Sequence, residues 1–216
     1  MAFEEYDKYE QSELVQKWLR ENGVSIIVGI VIGLVGIFGL QAWRRHQAQN
    51  ESNASQLYQQ AQVASLSGKP EAAAQITDQL MKDYAKSPYA VFAVSDRARQ
   101  QVQDKQLDKA EASLEWAENH AADAPLKSLT LLRIARVELA REQTKQALST
   151  LDKMPAGSFQ GLTQELRGDA LVKLGRSDDA RKAYQTAMSG LSEEAPQRGA
   201  LQMKLDDLAV AGKQGA

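Results

Sequence analysis

From Val24 to Trp43 the chain runs for 20 residues without a charge, VSIIVGIVIGLVGIFGLQAW, and this run constrains the fold more than any other feature. A helix rising about 1.5 Å per residue over that length covers the roughly 30 Å hydrocarbon core of a bilayer. So much Ile, Val, Leu and Phe must be buried, in lipid or in protein. A core helix of a soluble domain usually keeps a polar face. Here the most polar members are Ser25 and Gln41, so the run is expected to be a transmembrane helix spanning residues 24–43. A cleaved signal peptide has a short basic leader, an apolar core of about 7–15 residues and a small-x-small cleavage site. This run follows a long acidic segment and ends in Trp43-Arg44-Arg45-His46, which points to an uncleaved anchor.

Gly29, Gly33 and Gly36 fall at i, i+4 and i+7, one face of that helix. Small residues so placed let a second helix approach closely, and they are the candidate membrane packing face. Trp43 suits the interfacial aromatic belt. Lys8, Lys17 and Arg20 precede the span and Arg44 and Arg45 follow it, a slight lean towards a cytoplasmic N-terminus. Residues 1–11 are polar and acidic and are expected to be disordered. Ser12–Asn22, SELVQKWLREN, carries Leu14, Val15, Trp18 and Leu19 at helical spacing, with Ser12 as a possible cap and Gly23 as a stop or hinge. It reads as a short amphipathic helix at the membrane surface or as a continuation of the span. Residues 44–53 read as a linker, leaving 54–216 as one domain.

The second strong signal is a repeat. Ala73, Ala110, Ala147 and Ala180 lie 37, 37 and 33 residues apart. Twelve residues before each is a small residue: Ala61, Ala98, Ala135 and Gly168. Four after come Thr77, Leu114, Leu151 and Tyr184; seven after come Leu80, Ala117, Met154 and Ala187. Gly68 and Gly175 sit where one helix must turn into the next. Small residues bring paired helix axes together and the larger ones fill the space to the next pair. All five prolines, Pro70, Pro88, Pro125, Pro155 and Pro196, fall at a turn or in a first helical turn, where a missing N–H is tolerated. No sustained alternation suggests a strand. The stretch Glu194–Val210, with Leu201, Met203, Leu205 and Leu208, reads as a final helix capping the stack. The expected fold is all-α: one N-terminal transmembrane helix, then an α-solenoid of about four helix hairpins with a C-terminal capping helix.

Catalytic chemistry is not signalled. There is no cysteine, which excludes disulfides and thiolate sites. His46 and His120 stand far apart without a second ligand at metal spacing, and His120, in ENHAADAP, is expected in a loop. Phosphate-binding, nucleophile-elbow and zinc-protease motifs are missing, so neither an enzyme nor a cofactor is expected. With 26 Lys and Arg against 28 Asp and Glu and no basic patch, nucleic acid is not an expected partner.

The repeat columns resemble the tetratricopeptide repeat, most clearly in GLTQELRGDALVKLGRSDDARKAYQTAMSG, where Gly168, Gly175, Ala180, Tyr184 and Ala187 occupy that family's usual positions. Across nearly the whole chain, WLRENG, the glycine-rich span, WRRHQ and the Tyr-x-x-Ala start of the repeats resemble the YfgM-like ancillary SecYEG translocon subunits. That resemblance implies an inner-membrane protein with a cytoplasmic N-terminus and a periplasmic repeat domain. It would be associated with SecYEG and the chaperone PpiD and would help hand secreted clients to periplasmic chaperones. The alternative is a structural scaffold for envelope biogenesis or division, unrelated to secretion. The tetratricopeptide likeness further implies that first helices line a partner-binding groove. Carried over by position, the groove set is Tyr58 and Gln62; Phe92 and Arg99; Leu129, Leu132 and Arg136; Glu165 and Asp169. Arg99 and Arg136 are equivalent positions in successive hairpins and are expected to engage acidic or carbonyl groups.

Overall fold

The computed structural model describes residues 3–214, and every described element is helical. The chain divides into two compact units, residues up to Asn50 and residues from Glu51 on. Helix α1, Phe3–Leu66, contains all of the first unit's described residues and the start of the second.

In the first unit the apolar run is bare. Ile27 and Phe38 are 63% and 66% exposed, and none of the run's best apolar window is buried within the chain. A core helix would be covered by its own protein; this one is long and apolar enough to cross a membrane and leaves its covering to lipid or another chain. The helix passes unbroken through Gly23, so no stop or hinge forms there. Because α1 starts at Phe3, Ser12 is not its N-cap. Residues 3–11, expected to be disordered, are helical, while 1–2 lie outside the described residues. Of the apolar stripe over 12–22, Val15, Trp18 and Leu19 are exposed; the side chain of Leu14 lies outside the described residues. Residues 44–53, read as a linker, are also helical. Strong helix formers such as Gln, Ala, Arg and Glu fill that stretch with neither Gly nor Pro to end it.

The second unit is a stack of helix pairs. The end of α1 pairs in sequence with α2 (Pro70–Asp83), α3 (Pro88–Gln103) with α4 (Leu107–His120), α5 (Ala124–Ala140) with α6 (Thr144–Asp152), and α7 (Gln160–Lys173) with α8 (Ser177–Ser189); α9 (Gln197–Gln214) follows. Each pair turns through three residues by one device. The N–H of Lys69, Gln106, Gln143 and Arg176 each reaches back five residues to a helix carbonyl. The preceding N–H, of Gly68, Lys105, Glu142 or Gly175, reaches back three. This Schellman closure requires a left-handed residue, and those four have φ of 70°, 59°, 64° and 72°. Two are glycine, as the residue type demands; Lys105 and Glu142 adopt the same conformation against their preference. Between pairs the chain restarts with side-chain caps. Ser87 Oγ accepts the Tyr89 N–H and donates to Glu51, and Asp123 accepts the Leu126 N–H at 2.7 Å. Pro88 and Pro125 sit in the first turns that follow.

The small-residue columns form the core. Ala98, Ala135, Ala110, Ala147, Ala180 and Ala187 are at most 1% exposed, with Leu114, Leu151 and Tyr184 packed between them. Gly168 is required by contact: a Cβ there would lie 2.3 Å from Tyr184 Cε1. First helices stack in sequence, α3 on α5 and α5 on α7, while each second helix packs against the next pair. Helix α9 covers the end of the stack with Leu201 and Leu208, which join Leu171, Ala180 and Tyr184 in one cluster. Met203, expected on that face, is 64% exposed and points away. Arg198 donates to the carbonyls of Met188 and Leu191, satisfying groups at the end of α8.

Candidate partner-binding face

The side of the repeat unit formed by α1, α3 and α5 gathers most of the expected groove residues. The hydroxyl of Tyr58 donates to Asp96 at 2.9 Å and accepts from Gln62 at 2.8 Å. Its ring lies 6.0 Å from Phe92 and from Tyr89, which meet edge to face at 6.2 Å, making a half-buried aromatic shelf. Burial and the carboxylate of Asp96 push the Tyr58 hydroxyl up to about 12. Asp96 also faces Arg99 at 3.6 Å. Beside them on α5 stands Arg133, half-buried. Its guanidinium is attracted by Asp96 and repelled by Arg136 and Arg99, and burial, the largest influence, lowers its pKa. Neither Arg133 nor Arg136 makes a hydrogen bond or ion pair among the described residues.

The face continues into a cleft of about 750 Å³ enclosed by the end of α1, α2 and α3. Ala61, Ala73 and Ala74 give it small apolar walls, and Tyr58, Gln62 and Arg99 belong both to its rim and to the face just described. Arg97 closes one side, donating to Asp78 at 2.6 Å and to the Ala74 carbonyl, so that wall is locally neutral. The volume is within the range of pockets that hold small ligands or large side chains.

Three expected groove residues are placed differently. Leu132 is 1% exposed and belongs to the core cluster with Ala135, Leu139, Ala147 and Leu166. The equivalent residue one repeat earlier, Ser95, is also buried. On α3 and α5 the outward column is therefore one residue further on, at Asp96 and Arg133. These two were missed, although they lie 37 residues apart, the same repeat that pairs Arg99 with Arg136. Glu165 and Asp169 are held by α9: Lys204 donates to both, at 2.8 and 2.7 Å, and stands 5.5 Å from the Tyr184 ring. Burial alone would lower the Lys204 pKa, but its bonds to the two carboxylates raise it. One lysine thus offsets one of the two charges at the acidic end of the face, and Tyr184 adds a bond to Asp169. Leu129 is half-buried. His120, expected in a loop, ends α4, stacked on Trp116 at 3.9 Å and hydrogen-bonded to that residue's carbonyl. Among the described residues no three His, Asp or Glu side chains are grouped to hold a metal. In the first unit a Cβ added at Gly29, Gly33 or Gly36 would meet nothing within 4 Å, so the fold of this chain does not itself demand glycine there.

Comparison with known proteins agrees with this architecture. The tetratricopeptide repeat-like domain family matches residues 16–210. A protein of Escherichia coli K12 named ancillary SecYEG translocon subunit is 31% identical over 202 residues, covering 93% of this chain and 96% of its own. A protein of the same name from Haemophilus influenzae is 31% identical over 208 residues, covering 96% and 100%. One from Neisseria gonorrhoeae is 25% identical over 202 residues, covering 92% and 97%. With a bare membrane-length helix followed by stacked helix pairs, and with such matches over almost its whole length, the chain belongs to the tetratricopeptide repeat-like family of ancillary SecYEG translocon subunits.

Proposed function

We propose that this protein is a membrane-tethered binding scaffold of the inner membrane, holding segments of secreted polypeptides beside the SecYEG channel and passing them to periplasmic chaperones such as PpiD. The observation that carries this reading is the face of α1, α3 and α5: an aromatic shelf, an open cleft and two arginines without ion-pair partners among the described residues. Aromatic and arginine side chains dominate the energetics of protein interfaces, and stacked helix pairs offer them on a preformed surface. The relatives' shared name supports the translocon as the place of work. In this reading the helix over 24–43 stays attached as a single anchor, the N-terminus is cytoplasmic and the repeat unit periplasmic. Gly29, Gly33 and Gly36 give a translocon helix its close approach.

Crosslinking in native membranes tests the scaffold. SecYEG subunits and periplasmic chaperones should be recovered; recovery of only division or wall-synthesis proteins would replace this reading with a structural scaffold of the envelope. Protease added to intact spheroplasts should digest the repeat unit, and protection until lysis would reverse the orientation. Leucine at all three glycines should weaken co-purification of a membrane partner while insertion persists.

A further inference from the structure

The cleft under the first hairpin and the arginines beside it share rim residues, and their chemistries differ in a way that defines a ligand. We propose that they form one two-part site for an extended acidic segment of a client polypeptide, its carboxylates on Arg99, Arg133 and Arg136 and one large apolar side chain in the cleft. The proposal rests on the scaffold reading above and adds the chemistry of what is held.

Charge argues for the acidic half. Three guanidinium groups from α3 and α5 crowd one surface, and among the described residues Asp96 is the carboxylate facing them. That carboxylate is shared with the Tyr58 hydroxyl, so it cannot satisfy three forks of donors. The Arg133 guanidinium has its donors uncommitted within the described residues, and an incoming carboxylate can accept from them in a bidentate pair. The far end of the face has its own acids, Glu165 and Asp169, already bridged by Lys204 of α9. Lys204 offsets one of those two charges, which halves the repulsion an acidic segment meets there and leaves a basic segment acids already engaged by the chain.

Space argues for the apolar half. Ala61, Ala73, Ala74 and Ala93 give the cleft apolar patches among polar side chains, and Arg97 is paired with Asp78. A phenylalanine or leucine entering it would set its apolar surface against those alanines. Tyr58 stands at the junction, its ring on the shelf and its hydroxyl on Asp96, so neighbouring side chains of one extended strand can reach both halves.

The full-length protein in detergent micelles is titrated into a fluorescent Gly/Ser peptide bearing a pair of glutamates and one phenylalanine, and binding is read by anisotropy. Exchanging the glutamates for lysines should abolish binding, and Phe→Ala in the peptide should weaken it about tenfold. These two comparisons leave the protein unaltered, so folding does not enter them. Arg133→Gln should also weaken binding about tenfold, and Ala74→Trp should remove the phenylalanine dependence while keeping the glutamate dependence. Equal binding of the acidic and basic peptides overturns the proposal, as does an Arg133→Gln protein that binds undiminished. Arg133-dependent binding of phosphatidylglycerol vesicles in place of the peptide would likewise overturn it, by assigning the arginines to lipid. Recovery of translocon subunits by crosslinking is a separate readout: its failure would sink the scaffold reading, whereas peptide indifference with crosslinking intact would sink this one alone.

Discussion

In the fourth hairpin Tyr184 lies on Gly168 and fills the space between α7 and α8, whereas in the first hairpin the matching pair is Thr77 and Ala61, beside an open cleft. Ala180 is fully buried in one; its counterpart Ala73 is only half-buried in the other. The second and third hairpins stand with the fourth, since the larger Leu114 and Leu151 occupy the Tyr184 position, whereas Thr77, also buried, is smaller and lines the cleft. One column of the repeat thus separates a hairpin that packs for stability from one that leaves room for a ligand. Small residues allow two helices to approach; only a large neighbour makes the approach worthwhile by filling what remains.

Removing the filler from the closed hairpin should have the largest effect. Tyr184→Ala is expected to cost about 3–5 kcal/mol, as for other buried aromatic truncations, measured by urea unfolding of the purified protein. Thr77→Ala, the same truncation in the open hairpin, should cost about 1 kcal/mol. Equal losses would dissolve the distinction between the two.

Crowding the closed hairpin comes next. Gly168→Ala should destabilise by about 1–3 kcal/mol, because its Cβ meets a ring held by its own packing rather than a movable side-chain end. Conversely, Thr77→Leu, which gives the first hairpin the filler of the second and third, should be neutral or stabilise by about 1 kcal/mol. It should also diminish peptide binding at the cleft. A large destabilisation by Thr77→Leu would show that the cleft cannot accept an apolar side chain.

The pH dependence of the third hairpin sharpens the contrast between packed and open parts. Glu138 is 1% exposed; Thr150 donates to one of its oxygens at 3.0 Å and the other lacks a hydrogen-bond partner. Burial raises its pKa, with Glu115 adding to the rise and Thr150, Gln146 and Lys153 opposing it. A raised carboxyl pKa means that the folded state holds a proton that the unfolded state has released. Stability should therefore fall as pH rises from the ordinary glutamate range through the folded value. Glu138→Gln should flatten that fall. A steeper pH profile in the variant would contradict the assignment.

The smallest effects belong to the turns. Lys105→Gly and Glu142→Gly should each stabilise by about 0.5–1 kcal/mol by relieving a left-handed conformation, while Gly68→Ala and Gly175→Ala should each cost about 1–2 kcal/mol. The four turns share one geometry, so unlike responses would show that the open hairpin differs in its turn as well as in its packing.

Much of this was legible beforehand. Uninterrupted apolar length marks a helix long enough to cross a membrane because it is a local property that no tertiary contact need supply. The hairpin boundaries were legible for a similar reason, since Pro70, Pro88 and Pro125 and the glycines at 68 and 175 act on their own backbone. Helix α1 was less so: the absence of Gly and Pro over 44–53 permitted a continuous helix without announcing one, and Gly23 alone costs too little to stop it.

The candidate face divides in the same way. The 37-residue period, with the tetratricopeptide likeness, identified Arg99 and Arg136, and Tyr58 and Phe92 came from the same columns, because equivalent positions on stacked helices face the same way. Leu132 was misplaced and Arg133 overlooked because a helix turns about 100° per residue, so a one-residue error exchanges core for surface. Glu165 and Asp169 were assigned to an open groove because nothing local indicates that Lys204, 35 residues or more away in sequence, would reach them. The cleft itself has no sequence signature, for it is the space left when Thr77 stands where its counterparts are Leu, Leu and Tyr. The sequence by itself determined the membrane-length apolar helix, the helix pairs and their turns, all properties of a chain with its near neighbours. Only the tertiary structure decided which pair closes and which arginines lack an ion pair among the described residues, because both depend on what distant side chains fill or offset.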